Sequence, residues 1–314
     1  MYKYLRCLIY LAFLCPLYSF AQIAAVNKNF IAGPGHLLYK IYVHNKGQNI
    51  RTGDFVSIRM VVKTQYDSVL YTTYSLGRPV QAVIPKSQFN GDVFTGIKNL
   101  TQGDSAVFKV FADSLFKRGE PKPLGFKGKY IVYDINIEKV IAKGKLTDTV
   151  FKQKVNTYLK KENEGYKKEE PTLIAKYIAD NKLNVTKTAD SLYYEIIEQG
   201  TGPKIVAGDT AIVNYTGKRI NGMIFDTSVK DEAKQAKMVD LTRRYAPVKI
   251  PVGQKRVIAG WEEVLLLLNK GTKVLFILPS KLAYGASGVS SIGPYTPLVF
   301  SVEVMDVIKP MPRK

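Results

Sequence analysis

Cysteine and histidine are scarce in this sequence of 314 residues, which contains two of each. Both cysteines, Cys7 and Cys15, lie near the N terminus. The rest of the chain therefore has no thiol for a disulfide, a thiolate nucleophile or a cysteine-ligated metal. His36 and His44 both lie in the N-terminal half, and no serine nucleophile motif accompanies them. The sequence predicts no cofactor and no metal centre, and it argues against hydrolase chemistry.

Long apolar runs are missing after residue 21. A membrane-spanning helix needs about 20 predominantly apolar residues, so we expect no transmembrane span in the mature chain. The first residues differ. Lys3 and Arg6 form a short basic region before the apolar stretch Cys7–Phe20, and Ser19 and Ala21 provide the small residues of a cleavage site. Residues 1–21 are interpreted as a signal peptide cleaved after Ala21, which predicts a secreted, periplasmic protein. The alternative is a short N-terminal anchor helix.

Acidic residues are too few to balance the basic ones. The chain has 26 Asp and Glu against 46 Lys and Arg, which gives a formal charge of +20. Such an excess can indicate nucleic-acid binding. Here the lysines are spread along the chain among Asp and Glu, and no arginine-rich block is present. We therefore predict no nucleic-acid partner, while attraction to anionic surfaces or acidic clients stays open.

An internal repeat organises the chain. Three segments of the N-terminal half recur in the same order in the C-terminal half. The pairs are Gly53–Ile58 with Gly208–Val213, Gly103–Phe108 with Gly271–Phe276, and Ile131–Ile141 with Leu298–Ile308. The last pair alternates apolar and polar residues with period two, as a strand with one buried face does. The repeat predicts two related domains, residues 22–141 and 190–310.

The residues between the repeats, 142–189, are predicted to form a helical linker. Thr147 is suited to cap a helix, and the charged stretch Lys160–Glu170 ends at Pro171. A second helical pattern covers Leu173–Asn181. We expect two helices here, with spacing as their simplest role.

The second repeat has the pattern of an α+β domain. It contains five strand-like segments, Leu192–Ile197, Ala211–Ile220, Val248–Val252, Thr272–Leu278 and Leu298–Val307. One short helix is predicted at Trp261–Asn269, and Gly271 is suited to cap its C-terminal end. Strands that do not alternate regularly with helices favour an antiparallel sheet packed on a single helix.

Five motifs of the second repeat follow one another in a distinctive order. They are Val213–Gly217, Gly222–Ser228, Val257–Glu263, Ala283–Ala286 and Leu298–Glu303. In this order they resemble the FKBP family of peptidyl-prolyl cis–trans isomerases. The resemblance implies an α+β protein of two FKBP-like domains, each a twisted antiparallel sheet around one short helix, joined by a helical connector.

The same resemblance implies a function in which X-Pro bonds of exported proteins are isomerised to assist folding. The partners it implies are proline-containing polypeptide clients and macrolide inhibitors. The alternative hypothesis is a non-catalytic periplasmic chaperone or scaffold that uses the FKBP-like pockets for binding only.

The resemblance assigns the apolar part of a substrate pocket to four aromatic residues. Trp261 would form the floor under the proline ring. Tyr215, Phe225 and Phe300 would form the walls. Outside this motif set, Trp261 and Phe300 would more often be explained as ordinary core side chains.

The polar part and the rim are assigned in the same way. Val257 and Ile258 would complete the rim, and the Ile258 N–H would bind a substrate carbonyl. Tyr284 would donate its hydroxyl to a second carbonyl. Asp226 would lie beside the twisting amide and hydrogen-bond to the wall tyrosine or its neighbours. Ile292 would lie on a loop over the site.

Three features depart from the family pattern. An insertion, Val229–Tyr245, contains the helix-forming stretch Asp231–Met238. Val248 stands where an aromatic residue is usual, which would thin one wall of the pocket. The loop Gly288–Ile292 is short. The sequence leaves open whether the insertion covers the site or faces away from it.

The first repeat keeps the strand pattern but replaces the pocket residues. Alignment of the repeats places Ile97 at Trp261, Met60 at Tyr215, Leu70–Tyr71 near Phe225–Asp226, Phe116 near Tyr284 and Tyr133 at Phe300. This predicts a degenerate FKBP-like domain without isomerase activity. It would bind clients or a partner subunit, including a second copy in a dimer; the alternative is a purely structural remnant.

Overall fold

The computed structural model describes residues 30–120, 122–123, 125–236, 238–289 and 292–310. The predicted signal peptide lies outside the described residues. Within them the chain forms two compact units, residues 30–71 with 83–140 and residues 72–82 with 141–310. No helix in the described ranges combines the length and apolar character that crossing a bilayer requires.

The first repeat forms a seven-stranded antiparallel sheet. The strands are β1 (Ile31–Ala32), β2 (Leu38–Val43), β3 (Phe55–Thr64), β4 (Val69–Thr72), β5 (Val80–Val83), β6 (Ser105–Phe111) and β7 (Tyr130–Ile141). The helices are α1 (Val93–Ile97) and α2 (Ala112–Phe116), with a 3₁₀ turn at Pro34–His36. Asp92 caps α1 by accepting a hydrogen bond from the Thr95 N–H. The core between sheet and α1 contains Phe108, Leu100 and Ile137, all essentially inaccessible to solvent.

The second repeat forms another seven-stranded sheet. Its strands are β8 (Thr186–Lys187), β9 (Tyr193–Glu198), β10 (Thr210–Arg219), β11 (Ile224–Thr227), β12 (Val248–Pro251), β13 (Lys273–Leu278) and β14 (Leu298–Ile308). The helices that accompany it are α3 (Asp148–Asp180), which lies in the predicted linker, α4 (Lys230–Gln235) and α5 (Ala259–Leu265), with a 3₁₀ turn at Ser280–Leu282. β14 is central, because it pairs with β10 on one side and β13 on the other.

The two sheets have the same strand order, so the chain is an α+β protein of two domains that share one topology. The first sheet is ordered β4-β3-β7-β6-β2-β1 with β5 paired to β3. The second is ordered β11-β10-β14-β13-β9-β8 with β12 paired to β10. Phe108 pairs with Tyr133 in the first sheet as Phe276 pairs with Phe300 in the second, which places Tyr133 at the position of Phe300.

The recurring Gly-Asp pairs form equivalent turns. Gly53 and Gly208 have φ angles of 91° and 95°, a conformation that strains residues with a Cβ atom. In each turn the aspartate, Asp54 or Asp209, accepts a hydrogen bond of 2.8 Å from the backbone N–H three residues earlier. The repeated sequence signal therefore encodes a repeated local structure.

The linker is one helix of 33 residues, not the two helices that the sequence predicts. Thr147 caps it as expected, but the helix continues through Pro171. A proline inside a helix costs about 3 kcal/mol, so tertiary contacts must offset this cost. Ile174 provides one, because it is buried against Ile277 and Val299 on the sheet of the second repeat.

Two other predicted helices and one predicted helix cap differ from the structure. Helix α5 ends at Leu265 instead of Asn269, because the following N–H groups bond to carbonyls three residues back in tighter turns. Gly271 does not cap this helix; it lies in the turn before β13, where its N–H bonds to the Val304 carbonyl. Helix α4 covers less of the insertion than predicted.

Candidate functional site

An open apolar cavity of about 590 Å³ lies between the sheet of the second repeat and the start of α5. Strands β10, β11, β12 and β14 contribute side chains, and the loop after β13 contributes one more. The lining residues are Tyr215, Phe225, Asp226, Val248, Lys249, Ile250, Arg256, Val257, Ile258, Trp261, Tyr284 and Phe300. A cavity of this size and composition is suited to a small apolar group with a few polar contacts.

Trp261 forms the floor of the cavity and is only 5% exposed. Its ring meets Tyr215, Phe276 and Phe300 edge to face, with centroid distances of 5.5, 5.6 and 5.2 Å. Phe225 meets Phe300 edge to face at 5.8 Å. Such tilted contacts fix the orientation of each ring, so the cavity has a preformed shape.

Gly217 makes room for the aromatic walls. A Cβ atom built on it would lie 2.8 Å from both Phe225 Cζ and Phe300 Cε1, closer than packed carbon atoms approach. Any larger residue at this position of β10 would push these rings. The glycine of the Val213–Gly217 motif is therefore a requirement of the cavity wall.

A polar triad lies at one side of the cavity. Tyr215 donates its hydroxyl to Asp226 Oδ2 over 2.5 Å, and Arg243 Nη1 donates to the other carboxylate oxygen, also over 2.5 Å. Arg243 Nη2 lies 3.4 Å from the same hydroxyl oxygen. Arg243 belongs to the insertion, so this part of the insertion faces the site. Charge-assisted bonds of this kind hold a carboxylate in one orientation.

Burial and the neighbouring carboxylate set the protonation of the site tyrosines. Burial, reinforced by the hydrogen bond to Asp226, raises the pKa of Tyr215 to about 12. Burial and the charge of Asp226 also raise the pKa of Tyr284. Both hydroxyls therefore stay protonated at neutral pH, and the site contains hydrogen-bond donors and no phenolate.

Two donors at the cavity have no acceptor among the described residues. One is the N–H of Ile258, the residue that precedes α5 and has extended backbone angles. The other is the hydroxyl of Tyr284, which lines the cavity. Unpaired donors beside an apolar cavity are suited to bind the carbonyl groups of an extended peptide.

The structure brings together all the predicted pocket residues except Ile292. That residue is 5% exposed and packs in the core of the second repeat, outside the cavity lining. Sequence reasoning missed the basic residues Arg243, Lys249 and Arg256. The sequence did not indicate a role for Arg243, because this residue lies in the insertion, which none of the family motifs covers.

The corresponding positions of the first repeat have different environments. Ile97, in place of the tryptophan, is 2% exposed and belongs to the core. Met60 and Tyr133 pack against the same core, and burial raises the pKa of Tyr133 to about 12. Gly96 lies against the ring of Phe108, as close packing between α1 and the sheet requires.

Residues 202–305 match the family described as FKBP-type peptidyl-prolyl cis-trans isomerase. The chain is 34% identical over 200 residues to the Aeromonas hydrophila FKBP-type peptidyl-prolyl cis-trans isomerase FkpA, covering 63% of this chain and 66% of that protein. It is 37% identical over 136 residues to the FKBP-type 22 kDa peptidyl-prolyl cis-trans isomerase of Escherichia coli K12, covering 42% of this chain and 59% of that protein.

Among solved structures, the chain is similar to a peptidyl-prolyl cis-trans isomerase of Pseudomonas syringae. The identity is 33%, the match covers 46% of this chain and 96% of that one, and the TM-score is 0.38. The two curated relatives described above are covered to 66% and 59% of their own length, so the chain spans less than two thirds of each.

Proposed function

This chain belongs to the FKBP-type peptidyl-prolyl cis–trans isomerase family, and we propose that its second repeat catalyses rotation about X-Pro bonds of exported polypeptides. The observation that carries the proposal is the aromatic cavity floored by Trp261, with hydrogen-bond donors and the Asp226 carboxylate at its edge. Its clients would be proline-containing chains in an early stage of folding.

The chemistry requires neither a nucleophile nor a metal. Resonance gives the peptide C–N bond a rotation barrier of about 18–20 kcal/mol. Both isomers of X-Pro bonds are populated, and they exchange over roughly 10–100 s without a catalyst. A catalyst must bind the twisted amide more tightly than either planar isomer. A site sheltered from water helps, because the twisted amide has lost charge separation and is less polar.

The cavity residues meet these requirements in distinct ways. The proline ring would lie on the Trp261 indole, between Phe225 and Phe300, and displace water from apolar surface. The Ile258 N–H and the Tyr284 hydroxyl would bind carbonyls on either side of the bond and fix the flanking chain. Holding the flanks while the proline amide turns favours the twisted geometry.

Asp226 would contribute at the rotating amide itself. Both of its oxygens already accept hydrogen bonds, from Tyr215 and Arg243, so it keeps one orientation as substrate enters. Its carboxylate would lie near the carbonyl carbon of the twisted amide, which becomes more electron-poor when resonance with the nitrogen is lost. A preorganised charge of this kind stabilises a transition state without reorganisation.

A protease-coupled or refolding-based prolyl isomerase assay tests the proposal. The complete chain should accelerate exchange of a proline peptide, and Trp261→Ala should abolish most of that acceleration. Circular dichroism must show both proteins folded, since truncating a buried tryptophan costs about 3–5 kcal/mol. Trp261→Leu serves as a milder second variant. No acceleration by the folded parent chain would instead support a chaperone or scaffold that uses the pocket for binding only.

We propose that residues 22–141 form an FKBP-like domain without isomerase activity that binds clients or a partner subunit, such as a second copy. Acceleration of prolyl isomerisation by residues 22–141 expressed alone, and shown to be folded by circular dichroism, would contradict this proposal.

For localisation we propose the periplasm, on the basis of the predicted cleavage after Ala21. Macrolide binding by the same cavity is a further proposal that a direct titration would test.

A further inference from the structure

A buried carboxylate joins the linker helix to the sheet of the second repeat. Glu170 lies within α3, directly before Pro171, and is 9% exposed. Its Oε1 accepts a hydrogen bond from the backbone N–H of Ser280, and its Oε2 accepts one of 2.9 Å from the hydroxyl of the same serine. Burying a charged group is costly unless it is hydrogen-bonded, so this two-point contact marks a specific interaction.

Glu170 supplies a cap that the turn at Ser280–Leu282 lacks within its own sequence. The residue at the capping position is Pro279, which has no side-chain acceptor and makes no capping bond. The first N–H groups of any helical turn have no partner inside it. Glu170 satisfies one of them from another element through a charge-assisted hydrogen bond.

The turn that Glu170 caps leads directly into Tyr284. The carbonyl of Ser280 accepts hydrogen bonds from the N–H groups of Ala283 at 2.9 Å and Gly285 at 2.8 Å. The residues on both sides of Tyr284 are thus tied to the serine that Glu170 binds. The hydroxyl of Tyr284 has no hydrogen-bond partner in the described part of the chain. The orientation of the Tyr284 side chain therefore depends on the backbone of Ala283 and Gly285, which Ser280 holds.

Hydrophobic packing fixes Glu170 relative to the loop. Ile174, one helical turn further along α3, is buried in a cluster with Ile277 and Val299. Ile277 lies in β13, the strand that ends just before Pro279. The helix therefore meets the strand and the following turn as one unit, with an apolar contact beside a polar one.

We propose that Glu170 is a positioning residue for the isomerase site, acting through Ser280 on the loop that presents the Tyr284 hydroxyl to substrate. The inference rests on the proposed function, and it gives the linker helix a part in the reaction beyond spacing. Glu170 itself would touch no substrate.

A double-mutant cycle in the complete chain tests this inference. Glu170→Ala should lower kcat/KM for a proline peptide about tenfold, because small misplacements of a substrate-binding group are costly. Glu170→Gln keeps one acceptor and should lose about two- to threefold. In a Tyr284→Phe background, Glu170→Ala should add less than a twofold further loss, because residues that act through one contact are not additive. Glu164→Ala, an exposed glutamate of the same helix, is the matched control and should change nothing.

The outcomes separate positioning from simple loss of stability. Circular dichroism and the emission of Trp261, the only tryptophan, should show that every variant is folded at the assay temperature. Full additivity of Glu170→Ala with Tyr284→Phe would overturn the inference, as would a Tyr284→Phe variant with unchanged activity. Glu170→Gln is the safeguard if the alanine variant does not fold: parent-like kinetics in this variant would equally contradict a positioning role. An inactive parent chain would refute the proposed function instead.

Discussion

Tyr215 and Asp226 are joined by a hydrogen bond of 2.5 Å from the tyrosine hydroxyl to the carboxylate. The second carboxylate oxygen is occupied by Arg243. Asp226 is thus held from two sides, by a strand residue and by a residue of the insertion. The insertion, whose direction the sequence left open, completes the polar edge of the cavity with this arginine.

Loss of the arginine should affect catalysis more than stability. Arg243→Gln should lower kcat/KM about two- to fivefold, because Asp226 then loses its second anchor. The free energy of unfolding should change by less than about 0.5 kcal/mol, since the pair is partly solvent-exposed. Chemical denaturation and the peptide assay measure the two effects.

Arg244→Gln provides the matched control for this prediction. Arg244 is the exposed neighbour of Arg243 and has no ion pair within the described ranges. Its replacement should leave kcat/KM unchanged. Equal effects of the two substitutions would mean that overall charge near the cavity matters and the contact with Asp226 does not.

Two glycine-to-alanine substitutions should have opposite effects on stability. Gly217→Ala should destabilise the protein by about 1–3 kcal/mol, because its Cβ would press Phe225 and Phe300 together. It should also reduce kcat/KM by more than about tenfold, because those rings form the cavity walls. Gly165→Ala, inside α3 with no atom near its Cβ, should stabilise by about 0.5–1 kcal/mol and leave the assay unchanged.

Thermal or urea unfolding of both variants decides this prediction. A Gly217→Ala protein with parental stability would show that the two rings can move apart freely. In that case the cavity is not the preformed site that the edge-to-face contacts indicate.

Tyr215 should make stability sensitive to alkaline pH. Its folded-state pKa is about 12, above the ordinary value of 10, because burial and Asp226 disfavour the phenolate. A raised folded pKa means that the stabilisation is fully present below pH 10 and is lost as pH rises through 12. The stability of the parent chain should therefore fall relative to Tyr215→Phe between pH 9 and 11.5, each value taken from urea unfolding. A difference that stays constant over this range would contradict the raised pKa.

The fold was largely predictable because its signals are local and repeated. Period-two alternation located the β7 and β14 strands, and the matching segments Gly53–Ile58 and Gly208–Val213 supported the prediction of two related domains. The pocket residues came from motif order, and all but Ile292 line one cavity. Ile292 instead packs in the core cluster of the second repeat, which also contains Trp261 and Phe300.

The remaining features depend on contacts between distant parts of the chain. Nothing near Pro171 reveals that helix α3 continues through it, because the compensating partners, Ile277 and Val299, lie more than a hundred residues later. Similarly, Glu170 ends a charged stretch of the sequence that is typical of a solvent-exposed helix face. Only the structure shows its contact with Ser280. Local propensity describes neither case, since tertiary packing decides both.

The central position of β14 determines when the site can exist. This strand is the last of the described strands to be synthesised, yet it pairs with both β10 and β13 and carries Phe300. Until it is in place, the second sheet is divided into two separate groups of strands, and the apolar side chain of Ile174 lacks Val299 as a partner. The cavity must therefore form late, after its own polypeptide has passed through an incompletely folded state like that of the clients in the proposed function.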